Sequence, residues 1–190
     1  MKSYLLGIDI GTSACKVAVF DRNGKVLAAA NGDYPVYYPH EGWAEQNPEE
    51  WWDAVCLATK ETIRKADIRP DEIAGIGIDG QSWSAIAIDK EGKVLTNTPI
   101  WMDTRAQSIC DRLNQEIGAD KIFEVAGNSL QPSYSTAKIL WYKENLPEIY
   151  AKIDKILQSN SYIAYKLTDA VTQDVSQGYG LHCFDMKKGC

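Results

Sequence analysis

The chain has 190 residues, of which 45% are hydrophobic and 24% charged, a composition typical of a soluble globular domain with one buried core. Its formal net charge of -6, without a basic cluster, excludes a general nucleic-acid-binding protein. No apolar run has the length of a membrane span or of a signal-peptide core. The five cysteines are odd in number and widely spaced, which favours free thiols. We therefore predict a cytoplasmic protein whose partners include neither a membrane nor a nucleic acid.

The first third of the chain predicts strands. Apolar patterning favours three consecutive antiparallel strands, over residues 4–10, 15–20 and 25–31. The dipeptide Asn23-Gly24 between the second and third strands is typical of a hairpin turn. Residues 32–46 are rich in Tyr, Pro and Gly and are predicted to form a loop.

A helix is predicted to follow this loop. Asn47 is a favourable N-cap, Pro48 suits the first helical position, and Glu50 is expected to complete a capping box. Helical spacing predicts the buried face, with the members Trp52, Val55, Cys56, Thr59 and Ile63.

Two further strands are predicted over residues 73–79 and 84–89. We expect the first of them to pair in parallel with residues 4–10, because the helix supplies the crossover that a parallel pair requires. Residues 7–27 and 75–95 also align without gaps, and both contain the sequence Gly-Lys-Val-Leu after the turn. This repeat predicts two similar strand–turn–strand units in one sheet, with chance similarity of two hairpins as the alternative.

The remainder of the chain is predicted to be helical. Thr104 to Gln107 reads as a second capping box, and the helix that follows is expected to end at Gly118. Further helices are predicted over residues 135–145, 147–152 and 160–167. Strands, helix, strands and helices in this order predict a single α/β domain with a mixed sheet flanked by helices.

A glycine pattern typical of dinucleotide-binding proteins occurs at Gly75, Gly77 and Gly80. In that motif the glycines follow a strand and open a helix. Here they lie on the predicted strand itself, and another strand follows them. The pattern therefore does not favour a dinucleotide site.

The loop between the first two strands carries the residues of a phosphate site. Gly11, Thr12 and Ser13 can turn successive N–H groups and two hydroxyls toward an anion. Asp9 ends the strand and can hold a magnesium ion through water, and Lys16 can offset phosphate charge. An ordinary polar hairpin turn is the alternative, and local chemistry alone does not decide between the two.

Six motifs occur in one order along the chain: GIDIGTSACK, GWAEQNPEEWW, GIDGQ, IWMDTRA, TAKILW and TQDVSQG. With them, residues 4 to about 185 resemble the N-terminal domain of the FGGY family of carbohydrate kinases, and among its members the xylulokinases most. The resemblance implies a ribonuclease-H-like domain of the actin and hexokinase type. In that family two such domains enclose a cleft, and Mg-ATP phosphorylates a hydroxyl of a sugar or polyol there.

The resemblance implies roles for individual residues. Asp9 matches the carboxylate that supports magnesium, and Gly11, Thr12 and Ser13 match the first phosphate loop. The sugar-contacting segment, which reads Gln-Met-His-Gly in xylulokinases, here reads Gln81, Ser82, Trp83 and Ser84. The absent His counts against xylulose, and the absent Arg-Glu pair of glycerol kinases counts against glycerol.

Trp101 and Asp103 match the family's Trp-x-Asp motif at the mouth of the sugar pocket. An indole can pack against the C–H face of a sugar, and a carboxylate can accept bonds from its hydroxyls. Core packing is the alternative for Trp101, as it is for Trp83. Ser133 or Tyr134 falls where an aromatic residue lines the pocket, and Asp174 is expected to be structural or cleft-lining.

The implied reaction is transfer of the γ-phosphoryl group of ATP to a hydroxyl of a ketose or polyol, with D-xylulose as the best single expectation. The resemblance implies that the catalytic Asp, the adenosine pocket and the second phosphate loop lie beyond Cys190. Residues 1–190 are thus expected to be one N-terminal domain that is inactive without a C-terminal ATP-binding domain. The predicted partners are a sugar or polyol and that missing domain, and a homodimer stays open. A sugar-binding module without catalysis, or another enzyme of the same fold, is the alternative.

Overall fold

A computed structural model describes residues 3–182 and 184–189 and is built around a four-stranded sheet. Its strands are β1 (Tyr4–Ile10), β2 (Ala14–Phe20), β3 (Val26–Asp33) and β5 (Ile73–Gly80). The order across the sheet is β3-β2-β1-β5. Strand β2 pairs antiparallel with both β1 and β3, and β5 pairs parallel with β1. The predicted strand pairing is therefore confirmed.

Helix α1 (Pro48–Ala66) carries the chain from the far edge of the sheet back to β5. It begins as predicted, because the Asn47 side chain accepts a hydrogen bond of 3.0 Å from the Glu49 N–H. The expected capping box is wrong. The Glu50 carboxylate instead accepts a 2.8 Å hydrogen bond from the Tyr37 hydroxyl, which fixes the preceding loop against the helix.

The buried face of α1 differs from the predicted stripe by one position. Its buried members are Pro48, Trp51, Ala54, Val55, Ala58 and Thr62. Trp51 is fully buried beside Tyr34, and the Thr62 hydroxyl donates to the Val17 carbonyl at 3.2 Å. These two contacts determine the rotation of the helix, so that Trp52 and its predicted companions are only partly buried, apart from Val55.

The sheet has one packed face and one open face. Alternate residues of β1 and β2, including Leu6, Ile8 and Val17, join the core under α1. The opposite face forms a depression of about 680 Å³, and much of its surface consists of small residues such as Gly7, Ala18 and Gly77.

Short strands and helices form the second half of the domain. Strand β4 (Glu45–Gln46) pairs with β7 (Thr98–Pro99), and β6 (Ile86–Ile88) pairs with β8 (Lys155–Leu157). The helices are α2 (Gln107–Leu113), α3 (Ala119–Ala126), α4 (Ser135–Asn145), α5 (Pro147–Tyr150) and α6 (Ser159–Thr168). A π-helical turn at Asn114–Gly118 ends the α2 run at the predicted glycine, and α3 and β8 are elements that the sequence did not predict.

The second capping box is also wrong. Helix α2 begins at Gln107 without a side-chain cap, and the Thr104 hydroxyl donates to the Gly42 carbonyl at 3.0 Å. Thr104 thus fastens the loop before β4 to the chain that follows β7 instead of opening a helix.

The sequence repeat is confirmed at its turns and wrong for its strands. Asp21 and Asp89 occupy equivalent turns, in which each carboxylate accepts backbone N–H bonds from residues two and four positions later. Gly24 and Gly92 follow with φ of 80° and 78°. However, β5 joins β1 in the four-stranded sheet, whereas β6, whose three residues are all buried, pairs with β8 outside it.

Within the described residues, no helix combines the length and the apolar character that a bilayer crossing requires. Cys15, Cys56 and Cys110 are free thiols.

Strand β3 approaches helix α1 closely at Gly32, and this contact gives a test of the packing. A Cβ at position 32 would lie 2.8 Å from the Ala54 carbonyl oxygen and 2.9 Å from the Ala54 Cβ. We expect Gly32→Ala to destabilise the domain by about 2 kcal/mol in urea unfolding, because backbone atoms cannot move aside. Gly77→Ala is the matched control on the open face, where a Cβ meets nothing within 4 Å, and we expect little change. Equal unfolding midpoints for the two variants would contradict this packing.

Candidate functional site

The residues that follow β1 and β5 lie side by side at one edge of the sheet. The two strands are parallel, with Ile10 opposite Gly80, so their carboxyl ends coincide. The Gln81 N–H donates to the Ile10 carbonyl at 2.7 Å and extends the pairing by one bond. The predicted phosphate loop and the predicted sugar-contacting segment therefore meet.

A cavity of about 420 Å³ opens between them. Most of the predicted site residues line it, although they come from three separate stretches of the chain. Its lining consists of Asp9, Ile10, Gly11, Thr12, Gly80, Gln81, Ser82, Trp83 and Trp101.

The predicted phosphate loop is a tight turn. The Gly11 N–H donates to the Ala14 carbonyl at 3.1 Å, and a Cβ on Gly11 would lie 2.9 Å from that oxygen. The Gly11 carbonyl accepts a 2.7 Å hydrogen bond from the Tyr34 hydroxyl. Burial raises the pKa of Tyr34, so the phenol stays protonated and keeps this bond.

Gln46 joins the two segments and was not among the predicted site residues. It is fully buried, and its amide nitrogen donates to the Thr12 carbonyl at 2.8 Å. Its amide oxygen accepts a 2.8 Å hydrogen bond from the Gln81 amide. Gln81 Oε1 is a buried acceptor for which the described residues provide no partner. The GWAEQNPEEWW motif contains Gln46 and is the signal that could have identified this residue.

Trp101 also connects the two halves of the cavity. Its side chain is 44% exposed, so core packing does not explain it. The indole N–H donates to the Thr12 hydroxyl at 3.0 Å, while the residue lines the cavity. The ring thus offers an apolar wall to a ligand and is bonded to a hydroxyl of the turn after β1.

Trp83 adopts the left-handed backbone conformation, with φ of 64°. Its ring packs edge-on against Tyr134, with centroids 4.6 Å apart, and lies 6.0 Å from Tyr179. Burial, together with a hydrogen bond to Tyr179, raises the pKa of Tyr134 to about 12. Of the two predicted alternatives, Tyr134 is therefore a support for Trp83, and Ser133 is not part of the cavity lining.

The structure corrects the expected role of Asp103. Its side chain is fully buried, and its carboxylate accepts bonds from the Ala44 N–H at 2.7 Å and from Arg105 at 2.9 Å. Arg105 also pairs with Glu45 at 2.8 Å and stacks on Trp43 at 3.8 Å. Asp103 therefore anchors the chain that follows Trp101 and is not available to a ligand.

Lys16 and Ser13 are exposed, and Asp9 is partly buried. Asp9 lies between the cavity and the open face of the sheet, and Lys16 approaches it at 3.7 Å. Lys16 lines the open face only, and Ser13 is exposed outside the cavity lining. Of the predicted phosphate-loop residues, Gly11 and Thr12 line the cavity and Ser13 does not.

Asp79 is a second carboxylate beside Asp9, which the sequence did not predict. The two residues are register partners on neighbouring strands and line the same depression. Within the described residues no cluster of three or more metal-ligating side chains occurs. Magnesium is usually held by one or two carboxylates plus water and substrate phosphates, so this donor set fits that ion.

Asp174 is structural. Its carboxylate accepts hydrogen bonds from Asn160 at 2.8 Å and Gln173 at 3.0 Å, at the start of the 3₁₀ helix Val175–Gly180. Gln177 in that helix donates to the Ser82 hydroxyl at 3.2 Å. The 3₁₀ helix thus holds Ser82, a residue of the cavity lining.

Comparisons with known proteins agree with this arrangement. A model of the FGGY family of carbohydrate kinases, N-terminal domain, matches residues 4–190. A xylulose kinase of Bacillus subtilis is 32% identical over 93% of this chain and 35% of its own length. A glycerol kinase of Thermococcus kodakarensis is 31% identical over 99% of this chain and 38% of its own length. The crystal structure of Plasmodium falciparum glycerol kinase with ADP has a TM-score of 0.90 at 26% identity, covering 98% of this chain and 38% of that chain.

Two facts follow from these similarities. The fold is a ribonuclease-H-like domain of the actin and hexokinase type, as the resemblance implied. The chain spans between 35% and 38% of the length of the two curated relatives.

The correction for Asp103 can be tested by unfolding. Asp103→Asn would leave Arg105, whose side chain is 3% exposed, with one carboxylate fewer. We expect a loss of about 3 kcal/mol in the free energy of unfolding, because the buried guanidinium loses one of its two carboxylate partners. Asp9→Asn, at a carboxylate 49% exposed, is the control and should change stability by less than about 1 kcal/mol. The correction fails if the two variants unfold alike.

Proposed function

The chain belongs to the FGGY family of carbohydrate kinases, and from this premise we propose that it is the N-terminal, acceptor-binding half of an ATP-dependent sugar kinase. The cavity between Gly11–Thr12 and Gln81–Trp83 is the observation that carries the proposal. It joins a loop suited to phosphate and a wall suited to a sugar within about 420 Å³. A phosphoryl-transfer site must hold both reactants in one geometry, and this cavity supports that arrangement.

The donor side of the proposed site is the turn after β1. Gly11 and Thr12 line the cavity. The Gly11 N–H and carbonyl are bonded within the chain, whereas the Thr12 hydroxyl accepts a bond from Trp101 and can donate its own proton to a terminal phosphate. Asp9 and Asp79 would hold a magnesium ion at the adjacent strand ends. Such an ion neutralises negative charge on the transferred phosphoryl group. The neighbour solved with ADP supports a nucleotide as the donor.

The acceptor side consists of Gln81, Ser82, Trp83 and Trp101. Gln81 and Ser82 place polar side chains in the cavity lining, and the exposed Trp101 ring can pack on a C–H face. We propose a ketose or polyol as the substrate, with D-xylulose first. Xylulose and glycerol kinases are similarly identical to this chain, so similarity alone does not choose between a ketose and a polyol substrate.

We expect the Asp9 carboxylate to be required for turnover in the longer protein that carries this chain. Asp9→Asn should lower kcat by a few orders of magnitude, because phosphate charge would lose its compensation. The sugar KM should change little, since Asp9 lies on the donor side. The measurement is ATP-dependent phosphorylation across a range of magnesium concentrations. Near-normal kcat in a variant that folds normally would remove Asp9 from this role.

The 190-residue chain alone is expected to be inactive. The resemblance assigns the catalytic Asp and the adenosine pocket to the C-terminal domain, and a single domain cannot close over the reactants. The measurement is ATP consumption by the chain with D-xylulose or glycerol, beside the longer protein under the same conditions. Sugar-dependent turnover by the chain alone would overturn this division of roles. Sugar binding without turnover in the longer protein would favour the alternative of a binding module.

A further inference from the structure

The sugar-contacting segment is fixed by side chains of one helix. Helix α4 presents three hydroxyl or amine groups on one face, at spacings of three and four residues. Ser135 donates to the Ser84 carbonyl at 3.0 Å, Lys138 to the Trp83 carbonyl at 2.7 Å, and Tyr142 to the Ala85 carbonyl at 3.0 Å. Side chains here take the place of a partner strand.

Trp83 is unusual in this segment. Within the described residues, the other non-glycine positions with positive φ are Asp67 and Asp169, and both end a helix, where that conformation is common. Trp83 has no such role, and a bulky residue in this region carries strain. The surrounding structure must therefore hold it there.

Lys138 is the group that contacts this strained backbone. Its side chain is fully buried, and the described residues form no salt bridge with it. Burial lowers the pKa of Lys138 to about 7, although the charge of Asp103 opposes this shift. A buried amine without an ion pair is unfavourable, and such groups concentrate at functional sites.

The conformation of Trp83 in turn shapes the cavity. Its ring is enclosed by Tyr134 and Tyr179, and Gly180 leaves it room, since a Cβ there would lie 2.1 Å from the indole Cδ1. Trp83 also lines the cavity. A change at the Trp83 backbone would therefore move a wall of the site.

We propose that Lys138 is a positioning residue for the acceptor site: by holding the Trp83 carbonyl it keeps the indole in the orientation that selects the sugar. The inference rests on the proposed function for the identity of the ligand only. The link between Lys138 and Trp83 stands on the geometry of the free chain. Lys138 does not touch the cavity itself, since it is not part of the lining.

The test compares Lys138→Met with Tyr142→Phe in the 190-residue chain. Both variants remove one buried side-chain donor of α4, but only Lys138 contacts Trp83. Met matches Lys in length and has a smaller desolvation free energy on burial, so we expect the variant to fold. The chain has six tryptophans, whose indole N–H signals can be followed by NMR, with Trp83→Phe assigning the signal of interest.

Without ligand, Lys138→Met should shift the Trp83 indole signal and weaken its nuclear Overhauser contacts with Tyr134. Tyr142→Phe should leave both unchanged. Retained Trp83–Tyr134 contacts in Lys138→Met would overturn the inference, whether or not a sugar binds. The inference is also overturned if Lys138→Met and Lys138→Gln both fail to fold while Tyr142→Phe folds, because the lysine is then a requirement of the fold.

With D-xylulose and glycerol as probes, the wild-type chain should show shifts at Trp83 and Trp101. Lys138→Met should weaken binding of the preferred probe about tenfold, which is the size of effect expected when a buried hydrogen bond is lost. The ratio of the dissociation constants for D-xylulose and glycerol should move closer to one. Tyr142→Phe should keep the wild-type ratio. An unchanged ratio in Lys138→Met contradicts the inference. If neither sugar shifts a wild-type signal, the proposed function fails, and the ligand-free comparison still decides whether Lys138 positions Trp83.

Discussion

The parallel pairing of β1 with β5 is the constraint on which the rest of the site depends. Antiparallel neighbours would send the two following segments to opposite edges of the sheet, whereas parallel neighbours send them to the same edge. The pairing requires a crossover, and α1 provides it while covering one face of the sheet. The same helix that buries the core therefore brings residues 9–12 and 80–83 together.

Buried polar contacts between distant motifs then fix the positions of these segments. Gln46 links the turn after β1 to Gln81, and Arg105 links the chain after Trp101 to Glu45. Each of these groups is removed from water, so each is stable only with its partners in place. A connected set of hydrogen bonds and ion pairs consequently fixes the cavity, and a substitution in one motif removes a partner from a residue of another.

The contrast between Trp101 and Trp83 indicates how the two sides of the cavity differ. The indole N–H of Trp101 donates to the Thr12 hydroxyl, so this ring is fixed to the turn after β1. The Trp83 carbonyl is bonded to Lys138, and its ring packs against Tyr134. A ligand that packs on both indoles would thus contact one ring fixed to the turn after β1 and one fixed to α4.

The sequence by itself determined the order of β1, β2, β3, α1 and β5, the hairpin turn at Asn23-Gly24, the N-cap at Asn47 and the family. These features depend on local patterning or on residues that are read directly from the chain. Sequence reasoning also identified Gly11, Thr12, Gln81, Trp83 and Trp101, which line one cavity. Only the tertiary structure decided that Asp103 is buried, that Glu50 and Thr104 bond to distant loops, and that Gln46 joins the site. A polar side chain satisfies its hydrogen bonds with whichever group folding brings near, and in these cases that partner lies far away in the sequence.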